Sequence, residues 1–134
     1  MFFQKKNKPV IKDSNEKSYQ IPYSKGFRGF KRFPIVIHGD KESEDNNEKL
    51  FEADFSTAAY IFKCFDDSSN NRTACLYIDN HKMGAIFDPD QVHAIENGMI
   101  EKIHIEPKEE NIVGSNGTET RHRVSVLVQY KDEN

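Results

Sequence analysis

The stretch from Thr73 to Pro107 constrains the fold most, because each joint within it has a local chemical cause. Residues 74–78 are apolar and β-prone, which predicts a strand. Residues 79–82 (Asp-Asn-His-Lys) include two types that tolerate left-handed backbone angles, so they predict a tight turn. Residues 83–87 are then the return strand. Its buried face is either Gly84 and Ile86 or, as the larger anchor Phe87 favours, the set Met83, Ala85 and Phe87.

A short helix is predicted to follow this strand. The Asp88 carboxylate can cap its first turn, Pro89 suits its first position, and Gln91 sits where a capping-box partner would. Gly98 is the expected C-terminal cap. From residue 100 to 107, apolar and polar residues alternate, which is typical of a half-buried strand.

A hairpin is predicted before this stretch, from strands 58–65 and 73–79 with a polar turn between them. A turn symmetric about its middle places Cys64 opposite Cys75. The same register pairs Phe62 with Tyr77 and Tyr60 with Asp79. Two buried, reduced thiols are the default for the cysteines, with a disulfide as the alternative. Neither cysteine belongs to a CxxC pair, so a zinc ribbon is not indicated.

The flanking regions give weaker signals. Residues 34–38 (PIVIH) predict a short strand, and the acidic residues 39–49 predict a solvated loop. That loop lacks the ligand spacing of a calcium site. Residues 50–55 are compatible with a strand or with a single helical turn. Residues 108–120 predict a polar loop with a turn at Asn116-Gly117, and residues 121–130 predict a long strand antiparallel to 100–107.

These elements predict a mainly β fold with one short helix, an α+β arrangement. Its five to six strands would form a small antiparallel, barrel-like sheet. With 134 residues, the chain suits a single β-rich domain at 34–130. A basic, partly disordered N-terminal arm at 1–33 and a charged tail at 131–134 would flank it.

Charge divides the chain in two. Residues 1–33 hold nine Lys or Arg and two acids, a net charge of +7, whereas the remainder holds ten against twenty, a net of −10. Such a split is typical of a basic arm on an acidic body. There is no membrane-length apolar run and no apolar stretch for a signal peptide. We therefore expect a cytoplasmic protein, or a nuclear one in a eukaryote.

The candidate binding residues lie at 24–33, where aromatic and basic side chains interleave. Aromatic faces can stack on nucleic-acid bases while cations meet phosphates. The residues concerned are Phe27, Phe30 and Phe33 with Arg28, Lys31 and Arg32. The alternative is a terminal segment that buries its three Phe side chains against the domain.

Catalytic and metal-binding patterns are missing from the sequence. It contains no glycine-rich phosphate loop, no GxSxG and no HExxH. His104 and His122 could face each other across the last strand pair, although solvent-facing histidines are the simpler interpretation. No second group is placed beside a candidate acid or base. We expect a non-enzyme without cofactor or metal.

The order of hairpin, the segment at 82–87 (KMGAIF), a short helix ending in Gly98, and closing strands resembles a HIRAN domain. The likeness covers residues 34–130. It implies a modified small β-barrel, and some members of the family bind the 3′ end of single-stranded DNA. The family's Asn-Pro-Tyr-Asp-x-Asn-Ala segment would fall on residues 69–74, where only an Asn and Ala74 persist. The resemblance therefore supports the fold more than that activity.

The leading functional hypothesis is a small, non-catalytic module that binds single-stranded DNA or RNA, or DNA ends. Its predicted contacts are Phe27, Arg28, Phe30, Lys31 and Arg32, with Arg72 and Tyr77. The alternative is a protein-interaction or structural module whose acidic surface meets a basic protein partner. Neither hypothesis involves a membrane.

Overall fold

A computed structural model describes residues 16–26, 28–36 and 40–131. Residues 1–15 of the predicted arm and 132–134 of the predicted tail lie outside this part. The described residues form seven β-strands, two α-helices and one 3-10 helix at Phe55–Thr57. The first elements are β1 (Lys17–Ile21), β2 (Lys31–Phe33), α1 (Lys41–Leu50), β3 (Tyr60–Asp66) and β4 (Arg72–Ile78). The others are β5 (His81–Ile86), α2 (Pro89–Glu96), β6 (Ile100–Gly114) and β7 (Gly117–Tyr130).

The strands form two antiparallel sheets, ordered β1-β3-β4-β5 and β2-β7-β6. Single bridges, Tyr23 with Ile103 and Val36 with Ala85, link the edges of one sheet to those of the other. The mainly β prediction is confirmed. Within the described residues, however, there are two helices instead of one, seven strands instead of five or six, and no closed barrel.

The core lies where the inner faces of the two sheets meet. Phe62 and Leu76 on the larger sheet, and Phe33 and Val126 on the smaller one, are almost fully buried. The ring centroids of Phe33 and Phe62 lie 5.8 Å apart, with the two rings in an edge-on arrangement. Phe33 therefore anchors β2 to the core, which leaves its neighbours in the basic segment at the surface.

The β3–β4 hairpin has a register one residue away from the predicted one. Cys64 pairs with Ala74, and Cys75 pairs with Lys63. The turn is centred on Ser69 because the Asp67 carboxylate accepts hydrogen bonds from the N–H groups of Ser69 and Asn71. The predicted pairs of Phe62 with Tyr77 and Tyr60 with Asp79 are wrong for the same reason: they pair with Leu76 and Ile78.

This register puts the two cysteines on opposite faces of the sheet, since side chains alternate along a strand. Both are free and buried, so the default of two buried thiols is confirmed. The predicted direct opposition of Cys64 and Cys75 is wrong. A disulfide between side chains on opposite faces of one sheet is excluded by geometry.

The β4–β5 turn is confirmed, with positive φ at Asp79 and Asn80. The predicted inner face of the return strand is only partly right. Met83 is buried, but Ala85 is half-buried and Phe87 is 55% exposed. The reason is that Gly84 and Ile86 pair with core residues of β4, while β5 ends before Phe87.

Residues 41–50 form helix α1, where a solvated loop was predicted. Asp40 caps the helix by accepting a hydrogen bond from the Ser43 N–H. Sequence periodicity missed the helix because its buried residues are polar: Ser43, Asn46 and Asn47. Of the two alternatives for 50–55, the helical one is closer, since α1 ends at Leu50 and the 3-10 helix begins at Phe55.

The strand predicted at 34–38 is reduced to the single bridge at Val36, and residues 37–38 lie outside the described part. The predicted loop at 108–120 is wrong. Both strands continue through it, to a turn of two residues between Gly114 and Gly117. The antiparallel pairing of 100–107 with the last strand is confirmed. The distal hairpin was missed because exposed residues on both faces hide the alternation of a half-buried strand.

Helix α2 begins and ends as predicted, but the capping box is not formed, because the Gln91 side-chain oxygen has no hydrogen-bond partner in the described structure. The Asp88 carboxylate accepts hydrogen bonds from the N–H groups of Asp90 at 2.8 Å and Gln91 at 3.4 Å, and Pro89 occupies the first turn. Gly98, with φ +67°, follows the C-terminal end. Val92 and Ile95 turn inward, and the opposite side of the helix stays at the surface.

Candidate nucleic-acid interface

The basic aromatic segment lies at the edge of the smaller sheet. Arg28 precedes β2, while Lys31 and Arg32 lie on it, and all three side chains are exposed. Phe30 is half-buried, with its ring edge-on to His104 at a centroid distance of 6.5 Å. Phe27 lies outside the described residues. Phe33 is buried, as expected for a segment that packs its Phe side chains against the domain. The cations remain exposed and available to a ligand.

The cations of this segment contact neutral groups on β7. The Lys31 ammonium lies 5.7 Å from the ring centroid of Tyr130, and the Arg32 guanidinium donates a hydrogen bond to the Ser125 hydroxyl. None of the ion pairs formed between described residues involves Arg28, Lys31 or Arg32. Their positive charge is therefore not offset by an adjacent carboxylate in this part of the chain.

A cleft of about 470 Å³ opens between the β3–β4 turn and helix α2. Its volume is in the range typical of sites for small ligands. Phe87 and His93 stand on the helix side, and both are exposed. Polar groups of the turn face them. The lining there comprises Asp67, Asn70, Asn71, Arg72 and Thr73.

Arg72, a predicted contact residue, lies in this cleft but is paired with acids. Its guanidinium lies 2.6 Å from Glu96 and 3.3 Å from Asp66. The hydrogen bond to Glu96 raises the pKa of Arg72. This pairing joins the turn to α2, so Arg72 shapes the cleft and brings little uncompensated charge to it.

Tyr77, the last predicted contact, is not brought to the cleft. It lies near the opposite end of β4, where the Lys63 ammonium sits 4.5 Å from its ring centroid. Burial raises the pKa of the Tyr77 hydroxyl. Its half-buried ring forms part of the sheet surface with Lys63, apart from the other predicted residues.

Tyr130 lies beside the basic segment, at the end of β7. Burial and, after it, the charge of the Asp88 carboxylate raise the pKa of Tyr130. Asp88 follows Phe87 directly in the chain. The Lys31 ammonium lies over the Tyr130 ring. The contact of Lys31 with Tyr130 thus joins the basic segment to the end of β7.

Sequence reasoning missed Phe87 and His93 as surface residues of a cleft. Phe87 was assigned to the core by its size. The available signal was its position directly before the Asp-Pro helix start, since the chain leaves the sheet at such a cap. No sequence pattern marked His93, whose ring nitrogens lie 3.2 and 3.3 Å from the Asn97 amide nitrogen.

The predicted opposition of His104 and His122 is wrong. His104 pairs with Leu127, and His122 pairs with Glu109. His104 is buried instead of solvent-facing: its Nδ1 lies 2.7 Å from the Ser24 carbonyl oxygen, and its ring stacks on Tyr23. His122 contacts Glu48, with its Nδ1 2.8 Å from the carboxylate. No group of three or more possible metal ligands occurs among the residues that were described.

Comparison with family models, with curated proteins and with solved structures finds no match to this chain. Neither helix of the described ranges is long and apolar enough to cross a lipid bilayer.

Proposed function

We propose that this protein is a small, non-catalytic module that binds single-stranded nucleic acid along β2 and in the cleft beside α2. The observation that carries the proposal is the set of exposed cations at Arg28, Lys31 and Arg32, unpaired with acids in the described structure. Arg72, Arg121 and Arg123 are, in contrast, held by carboxylates. Phosphates bind best to cations that have no internal counter-ion.

The neighbouring aromatic groups support a single strand over a duplex. The exposed Phe87 ring stands at the cleft, and the half-buried Tyr130 ring lies beneath the Lys31 ammonium. Bases of a single strand are free to stack on such rings, whereas paired bases are not. In this arrangement the backbone follows β2, and a terminal nucleotide enters the cleft beside Phe87.

The resemblance to HIRAN domains is part of the proposal. The capped helix between Asp88 and Gly98, followed by the closing strands, supports it. The bridges at Tyr23 and Val36, which link the edges of the two sheets, support a barrel-like arrangement. The cleft lies at the turn where the family's binding segment would fall, although the aromatic and acidic residues of that segment are missing from residues 69–74.

The acidic surface is a weaker basis for a function. Glu44 contacts Arg121 and Arg123 at 2.5 and 2.7 Å, and Glu48 contacts His122. These acids of α1 are thus partly neutralised within the molecule. Binding to a basic protein becomes the preferred interpretation only if the nucleic-acid test fails.

The test is a titration of labelled single-stranded DNA and RNA at two salt concentrations. We expect dissociation constants in the micromolar range or weaker, because the acidic body repels the phosphates that β2 attracts. Replacement of Arg28, Lys31 and Arg32 by Gln should weaken binding. It should also flatten the salt dependence, by about 0.7 in the log–log slope for each phosphate that the protein no longer neutralises.

A matched control replaces three exposed lysines elsewhere, Lys17, Lys49 and Lys102, by Gln and so lowers the net charge equally. It should retain most of the affinity and the slope. Phe87→Ala should weaken binding about tenfold with little change in slope, since it removes stacking and no charge. Absence of binding by the wild type at low salt, or equal losses in both triple variants, would contradict the proposal.

A further inference from the structure

The outer edge of β6 is partly covered and partly open. At Ile103, the N–H donates to the Pro22 carbonyl and the C=O accepts from the Ser24 N–H, so the backbone groups of Ile103 point away from β7. Pairing with β7 is one-to-one from Ile103 to Gly114. The backbone N–H and C=O groups of every second residue of β6 therefore point away from β7.

The part of this edge that is covered by residues 22–24 ends at Pro107. The Tyr23 hydroxyl lies beside the Ile105 backbone, and Pro107 has no N–H to offer. Beyond Pro107, the outward groups belong to Glu109, Asn111 and Val113. No backbone hydrogen bond joins these three residues to another segment of the described chain outside the β6–β7 ladder.

We propose that this open edge pairs with the same edge of a second copy of the chain, in an antiparallel β6–β6 ladder with its two-fold axis at Asn111. Asn111 would face Asn111 of the second copy, and Glu109 would face Val113. All three open residues of each copy are then hydrogen-bonded, and one continuous sheet crosses the dimer.

The side chains favour a second copy in this alignment. Glu109 lies opposite Val113, Glu110 opposite Ile112 and Lys108 opposite Gly114, so no acid faces another acid. The Val113 side chain, which is 80% exposed in the single chain, gains a cross-strand neighbour in the dimer. The edge is therefore complementary to itself, as an interface with two-fold symmetry requires.

The neighbouring alignments are less favourable. Moving the axis to residue 110 or 109 sets Glu110 or Glu109 against itself and brings Pro107 into the ladder. Moving the axis to residue 112 or 113 carries Glu109 beyond the end of the facing strand at Gly114, to a position opposite Ser115 or Gly117. Only the alignment at Asn111 pairs every open residue without opposing two acids.

Oligomeric state is the first measurement, by sedimentation equilibrium of the full chain over a wide concentration range. A monomer–dimer equilibrium is expected. Position is tested by cross-linking with a short thiol-specific reagent. The native cysteines are buried, so the reagent reports on an introduced thiol. Asn111→Cys should form covalent dimers, while Val113→Cys and Thr120→Cys should form few. Thr120 is the exposed neighbour of Asn111 on β7.

Charge at position 113 tests the alignment independently. Val113→Lys places an ammonium opposite Glu109 of the second copy and should tighten the dimer by about fivefold. Val113→Asp places a carboxylate there and should weaken it by a similar factor. Addition of Glu109→Lys to Val113→Asp should restore dimerisation.

A chain that stays monomeric at all concentrations would overturn the proposal. So would a dimer that is cross-linked best through Val113→Cys or Thr120→Cys, or one in which Val113→Lys and Val113→Asp have the same effect. Circular dichroism of each variant establishes that the fold is retained before these outcomes are compared.

Discussion

The side-chain oxygen of Asn47 lies 2.9 Å from the backbone nitrogen of Val124 and accepts its hydrogen bond. The amide nitrogen of the same side chain donates to the Met83 carbonyl oxygen at 3.1 Å. One asparagine of α1 therefore satisfies a backbone group of the edge strand β5 in one sheet and, beyond the end of the β2 pairing, a backbone group of β7 in the other. Since Asn47 is only 1% exposed, both hydrogen bonds are shielded from water.

We predict that Asn47→Ala lowers the free energy of unfolding by about 2–3 kcal/mol, because it leaves two backbone groups without partners. Urea denaturation measures the change. Asn46→Ala is the matched control, since Asn46 makes one hydrogen bond, to the Lys82 carbonyl, and should cost about 1 kcal/mol. Equal losses for the two variants would show that the link between the sheets has no special role.

Asp88→Ala should lower the free energy of unfolding by about 1 kcal/mol, through loss of the α2 cap. Asp90→Ala, in the same turn, provides the comparison, because the Asp90 carboxylate caps no N–H and its removal should cost less than about 0.5 kcal/mol. A thermal or urea midpoint unchanged in Asp88→Ala would disprove the capping role.

Stability should depend on the charge of Asp40 at acidic pH. The Lys82 ammonium, 3.0 Å away, holds the pKa of Asp40 below 3.8, and the cap hydrogen bonds from Ser43 act in the same direction. Because the pKa of Asp40 is lower in the folded state, its ionised carboxylate stabilises the fold fully above pH 3.8. This contribution is lost as the pH falls through the folded-state pKa.

Asp40→Asn keeps a good helix cap but removes the charge, so at pH 7 it should cost about 1 kcal/mol or less. The difference from the wild type should shrink as the pH is lowered below 3.8. Asp45→Asn, which breaks the highly exposed pair with Lys41, should have little effect at any pH. A wild-type advantage that persists unchanged in strong acid would contradict the assignment.

The two thiols should be unreactive in the folded protein. Burial raises the pKa of Cys64 to about 12 and also raises the pKa of Cys75, so neither forms the reactive thiolate near neutral pH. Titration with a thiol reagent at about pH 8 should detect both thiols in denaturant and almost none without it. Rapid reaction in the native state would show that β3 and β4 open readily.

The sequence by itself determined the elements whose cause is local. Asp88, Pro89 and Gly98 specified both ends of α2, and Asp79 with Asn80 specified the turn before it. Alternating apolar residues specified the β6–β7 pairing near the core. These signals are readable because cap, turn and strand preferences act within a few residues.

Only the tertiary structure decided the rest. Helix α1 has no apolar periodicity and is held by hydrogen bonds from its own Asn46 and Asn47 side chains to distant strands, which no local pattern shows. The register of the Cys64 hairpin depended on how the Asp67 carboxylate organises its turn. Phe87 reads as a core residue from its size, yet it lies at a cleft because the chain leaves the sheet one residue earlier. Such outcomes depend on long-range partners, and residue type alone does not encode which partners are near.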